Sequence, residues 1–146
     1  KVFPQLRWLV IWVIALIGLR LASAFWPTHK NAEAWADAIR QRTTGKITEV
    51  VFVEDMARYG IHLHLGAQVD KVSIEPSELS LFDGEYDGDL DTELIHNDQA
   101  AIYICKQKRW PELEALLNGR GYPTRVLGDT FNKRVIFRIL PKTVPD

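Results

Sequence analysis

Apolar positions dominate the start of the chain. Trp8–Gly18, WLVIWVIALIG, is unbroken apolar sequence, and Leu19–Trp26 continues it with Arg20 as its single charge. Pro27 ends that run, and Thr28–Asn31 is a polar link in which Asn31 suits a helix N-cap. From there the period changes. Asn31–Arg42, NAEAWADAIRQR, places Trp35, Ala38 and Ile39 on one helical face and Glu33, Asp37 and Arg40 on the other. Ile47–Val53 is apolar and β-branched, the composition of a strand buried on both faces. Gln68–Glu75 alternates Val69, Lys71 and Ser73 against Asp70, Val72 and Ile74, which predicts a more exposed strand stopped by Pro76. Ala100–Lys106 predicts a second buried strand. Trp110–Asn118 predicts a helix with Pro111 in its first turn and Gly119 and Gly121 as terminators. Tyr122–Leu127 and Arg134–Leu140 read as two strands joined by the turn formers of Gly128–Lys133, and Pro141–Asp146 as a tail. The order predicts an α/β fold: a small mixed-sheet α/β sandwich at 28–146, preceded by one hydrophobic helix at 1–27.

Glu54–Gly66, EDMARYGIHLHLG, fits two periods. As a strand it puts His62 and His64 on one face, with Ile61, Leu63 and Leu65 on the other; as a short helix it groups Tyr59 and Leu63, with His62 at the edge of the stripe, while His64 diverges. A helix starting near Met56 after an Asp55 cap and stopping at Gly66 is the preferred assignment. An H-x-H pair suggests a metal only on a strand with a third ligand nearby, so no metal is expected.

The N-terminal run approaches the ~20 residues that span a bilayer core. Trp8 and Trp12 near one end and Phe25 and Trp26 at the other match an interfacial aromatic belt, and Arg7 and Arg20 are long enough to reach the interfaces. A membrane helix through residues 8–26 is the expectation. A signal peptide with its cleavage site in Leu21–Phe25, LASAF, and a buried helix of a soluble core are the rivals. Basic residues flank both ends, so charge does not orient the helix. A start at Lys1 rather than Met is what a piece of a longer chain would show.

The 146 residues suffice for one real core, and a net charge of −1 gives no reason to expect nucleic acid as a partner. The lone Cys105 lies in an apolar run, which excludes an internal disulfide and suits a buried thiol. Asp83–Glu93, DGEYDGDLDTE, has the odd-spaced acids and sixth-position glycine of a calcium loop, but Leu94 stands where the bidentate Glu belongs; a solvated acidic loop is expected. Nucleophile-elbow, phosphate-loop, zincin and dinucleotide motifs are absent from the sequence, and no cofactor is expected. Glu54 and Asp55 stand where a strand's carboxyl end meets solvent, with Arg58 and Tyr59 close behind. These four make a candidate ligand or partner surface, to be weighed against a plain strand-end cap and ion pair.

The passage from an apolar helix through Pro27 into NAEAWADAI, then VVFVED and MARYGIHLHLG, resembles the C-terminal part of membrane glycosyltransferases that use polyprenyl-phosphate sugars. That family includes bacterial aminoarabinose transferases and protein O-mannosyltransferase relatives. The resemblance covers roughly Leu6 to Ile74. It implies that residues 28–146 form an extracytoplasmic domain beside the cell (inner) membrane, next to the remaining membrane helices of a parent enzyme and its lipid-linked sugar. In the family the catalytic acid lies in a loop between early membrane helices. This chain has no such loop, so the resemblance assigns no catalytic residue here. A stand-alone membrane-anchored binding or regulatory module is the alternative.

Overall fold

The computed structural model of the protein describes residues 4–25, 31–75, 87–96 and 98–142, with side chains of the first helix described over 7–22. The chain divides into two compact units, Lys1–Asn31 and Ala32–Asp146.

The first unit carries α1, Pro4–Phe25, a 22-residue helix. With apolar side chains on every side it has no amphipathic face, and Trp8, Ile11, Trp12, Ile14 and Leu19 are all more than half exposed. Among the described residues no helix is long and apolar enough to cross a membrane. The expected membrane-spanning helix is therefore unsupported by the fold.

The second unit is a mixed α/β body. Its elements are α2 (Ala32–Arg42), β1 (Glu49–Val53), α3 (Ile61–Leu65), β2 (Gln68–Ser73), β3 (Gly88–Asp89), α4 (Leu90–His96), β4 (Ile102–Lys106), α5 (Trp110–Gly119), β5 (Thr124–Val126) and β6 (Arg134–Ile139). The six strands form one sheet in the order β3-β2-β1-β4-β6-β5. The first four are parallel, and β6 and β5 extend the sheet antiparallel. The expected mixed sheet and terminal hairpin are both present. Period-2 alternation sorts the core into two layers. Val50, Phe52, Ile102, Ile104 and Ile136 pack with Trp35, Ile39 and Ile61 of α2 and α3. Val51, Val53, Tyr103, Cys105 and Phe137 pack on the other face with Leu90, Leu94, Leu113 and Leu117 of α4 and α5. Both faces of β1 are covered, which is why Val50–Val53 is continuously apolar.

Two local assignments differ from expectation. The segment after β1 does contain a helix ended by Gly66, whose φ of 66° is the left-handed stop. That helix begins at Ile61, not Met56: the backbone ahead of it closes turn-type bonds from Ile61 N–H to Arg58 O and from His62 N–H to Tyr59 O, and the Asp55 carboxylate pairs with Arg134. Ile61 supplies the buried contact, while Leu63 is exposed. In the acidic stretch, Asp83–Tyr86 lie outside the described residues, but Asp87–Glu93 is not a loop. Leu90 and Leu94, four apart, bury one face of α4. Asp89 Oδ1 accepts the Thr92 N–H at 2.7 Å as that helix starts. Asp87 Oδ2 accepts from the Lys71 N–H at 2.8 Å. These carboxylates serve the backbone, and the calcium-loop geometry does not form among the described residues.

Candidate functional site

The strand order sets one location apart. The chain runs outward from β1 through β2 to β3, then returns to place β4 on the other side of β1. The carboxyl ends of β1 and β4 thus flank a topological switch point, where open parallel sheets hold ligands. Glu54 and Asp55 follow β1 there, and Gln107–Arg109 follow β4.

Ion pairs fill this crevice. Arg134, opposite Lys106 at the start of β6, donates Nε to Asp55 Oδ2 at 2.5 Å and Nη2 to Asp55 Oδ1 at 3.2 Å. That two-pronged geometry is the strong form of the pair. Arg58 stands 3.8 Å from the same carboxylate and donates to Met56 O at 2.8 Å. Its guanidinium lies over Trp35 at 4.6 Å and over Phe52 at 5.5 Å. Asp55 is only 3 % exposed. Burial by itself raises its pKa, but the Arg134 hydrogen bond, the Met56 N–H and both arginine charges outweigh it and hold the carboxyl below 3.8. Across the crevice mouth Glu54 pairs with Arg109 at 3.1 Å. Glu54 itself has φ 46°, a left-handed conformation uncommon outside glycine and a source of strain at the strand end.

Glu54, Asp55 and Arg58 are therefore brought together, and Tyr59 is not. Its hydroxyl donates to Asp87 Oδ2 at 3.1 Å, and it lines a shallow groove with Thr48, His62 and Gln68. His62 and His64 sit on a helix, two residues apart, so they do not share a face. The His62 ring is hydrogen-bonded through Nδ1 to Ala67 O at 2.9 Å. Arg134 and Arg109 belong to the crevice yet lie far from Glu54 in sequence, and no spacing rule could have named them.

The chemistry available is limited. An Asp ionised by two arginines is a poor proton acceptor at neutral pH. Cys105 is fully buried, and burial, with the nearby Asp55 charge, pushes its thiol up to about 12, far from a nucleophilic thiolate. At the opposite end of the parallel strands Glu49, Asp70 and Glu93 place carboxylate oxygens within 4.8 Å of one another. Burial, a hydrogen bond to Asp70 and the Glu93 charge push the Glu49 carboxyl up to about 8. An all-carboxylate set of this kind has the donors for a hard divalent cation. It is built from β1, β2 and α4, so sequence spacing gave no sign of it. The metal-free expectation and this cluster stand side by side. Comparison of the chain with protein-family models, with characterised proteins and with solved structures yields no match.

Proposed function

We propose that the chain is the non-catalytic, membrane-attached domain of a glycosyltransferase that draws its sugar from a polyprenyl-phosphate donor. On this reading α1 lies in the cell membrane and the α/β body faces the extracytoplasmic side. The observation that carries it is α1 itself: a helix apolar on every side, its side chains exposed, ahead of a body whose own core is complete. Bilayer or neighbouring membrane helices would take those side chains out of water. The crevice supports a non-catalytic role, since Asp55 and Glu54 are spent on Arg134, Arg58 and Arg109. Glu54, Asp55, Arg58 and Tyr59 then act as a positioning surface toward the membrane-borne partner.

Photo-crosslinking from position 14 of α1 in intact membranes tests the proposal. The expected product joins this chain to a polytopic membrane segment carrying the transferase acid, while the chain alone transfers no sugar from a polyprenyl-phosphate donor. Release of the full chain by carbonate washing, or transfer by the purified chain, overturns it. A stand-alone anchored module is the second reading, favoured by the division into two compact units. Crosslinks to lipid alone would select it.

A further inference from the structure

A second cavity lies away from the crevice, where the end of α2 meets the β5–β6 hairpin and the start of β4. It encloses about 200 Å³, several times the ~30 Å³ share of one liquid water, and Arg42, Thr43, Thr44, Arg125 and Arg138 line it. Among the described residues no carboxylate lines it.

Two independent features mark this cavity. The first is unmet hydrogen bonding. Among the described residues four buried side-chain polar atoms have no partner, and three of them, Arg42 Nε, Thr43 Oγ1 and Arg138 Nε, belong to residues that line this one space. Buried donors are nearly always satisfied, so a cluster of orphans points to an absent acceptor. The second is charge. Arg125 and Arg138 are direct cross-strand partners in the β5–β6 pair, a like-charge placement that costs stability unless something negative lies between. The third arginine is held in place. Arg42 donates Nη1 to Ala38 O at 2.8 Å and packs its stem against the Gly128 turn, with its guanidinium 5.8 Å from the Phe131 ring centre.

We infer that this cavity is a binding site for a phosphate dianion, free or as a monoester. Three guanidinium groups and two hydroxyls approach from three separate elements. That multiplicity suits a tetrahedral group with several acceptor oxygens better than a planar carboxylate with two. The orphaned Nε and Oγ1 groups are donors of the kind such oxygens accept from. The site is independent of the transferase reading, and its failure would leave that reading standing.

Calorimetry and thermal unfolding of the full chain in non-ionic detergent, with inorganic phosphate as the probe, test the inference. Phosphate is expected to bind at one site and raise the Tm in a concentration-dependent way. Arg138→Gln should weaken binding by about tenfold or more. Its phosphate-free Tm should be equal to or higher than that of wild type, because the Arg125–Arg138 repulsion is gone. Arg138→Lys keeps the charge but not the planar fork and should fall between the two. Arg120→Gln, which pairs with Asp91 outside the cavity, should bind phosphate as wild type does. Micelles doped with phosphatidic acid separate the sources. An Arg138-dependent Tm rise with the lipid assigns the site to a headgroup, and a rise with free phosphate alone assigns it to a soluble anion. Absence of binding to either, or binding unchanged in Arg138→Gln, overturns the inference and leaves a water-filled cavity.

Discussion

Asp55 is the residue on which the carboxyl end of the sheet depends. It is buried, and three elements meet at it: β1 through the chain, Arg58 ahead of α3, and Arg134 from β6. Removing one member of such a pair strands the other's charge, so Asp55→Ala should cost about 3 kcal/mol in urea unfolding. The sign of the pH effect follows from the lowered pKa. The unfolded carboxyl titrates near 3.8, and the folded one lies below it. The stability this ion pair contributes is thus fully present above about pH 4 and is lost as pH falls through the folded value. Urea midpoints measured from pH 6 down to pH 2 should show this loss in wild type and a flatter profile in Asp55→Asn. Equal slopes would mean that Asp55 is not the group responsible. The importance of Asp55 was legible in the sequence; its principal partner was not. A strand end followed by Glu54, Asp55 and Arg58 announces a charged site, but Arg134 arrives 79 positions later through the β4–β6 pairing.

At the scale of elements, α2 and α3 cover one face of the sheet and touch closely. Gly60, just ahead of α3, sits where an added Cβ would come within 2.9 Å of Ala32 Cβ, so the two elements meet without room for a methyl group. Gly60→Ala should destabilise by about 1–3 kcal/mol as α2, with its buried Trp35 and Ile39, is pushed off Phe52 and Ile61. Ala32→Gly should recover part of that loss in the double variant, a coupling that a double-mutant cycle measures directly. Additive costs would show that the clash is relieved elsewhere. The existence and type of α2, α5 and the long strands could be read from periodicity, because each buries a face large enough to impose its period. Short elements escaped that logic. α3 is five residues long and is placed by Ile61 and the Gly66 stop, and β3 is two residues long and exists only by pairing with β2.

For the whole molecule, the α/β body holds its own core on both faces of the sheet, and α1 belongs to the other compact unit. Residues 31–146 alone should therefore fold, with the same unfolding free energy in urea as the body of the full chain within about 0.5 kcal/mol. Trp35 and Trp110 fluorescence reports that transition. A molten or aggregated fragment would show that the body depends on the first unit. The full chain should require detergent, since its exposed Trp, Leu and Ile side chains form an apolar surface larger than monomers keep in water.

By itself the sequence determined the hydrophobic helix, the alternation of helices and strands, the terminal hairpin and the burial of Cys105. Each of these follows from local period, from turn chemistry or from an apolar run. Only the tertiary structure decided the strand order, and with it every site. The switch point, the Arg134 clasp on Asp55, the Glu49–Asp70–Glu93 carboxylates and the arginine cavity are each assembled from separate elements. Local patterning specifies which face of an element is buried. Which charged groups meet at the ends of those elements is settled by how the strands pair, and no spacing along the chain encodes that.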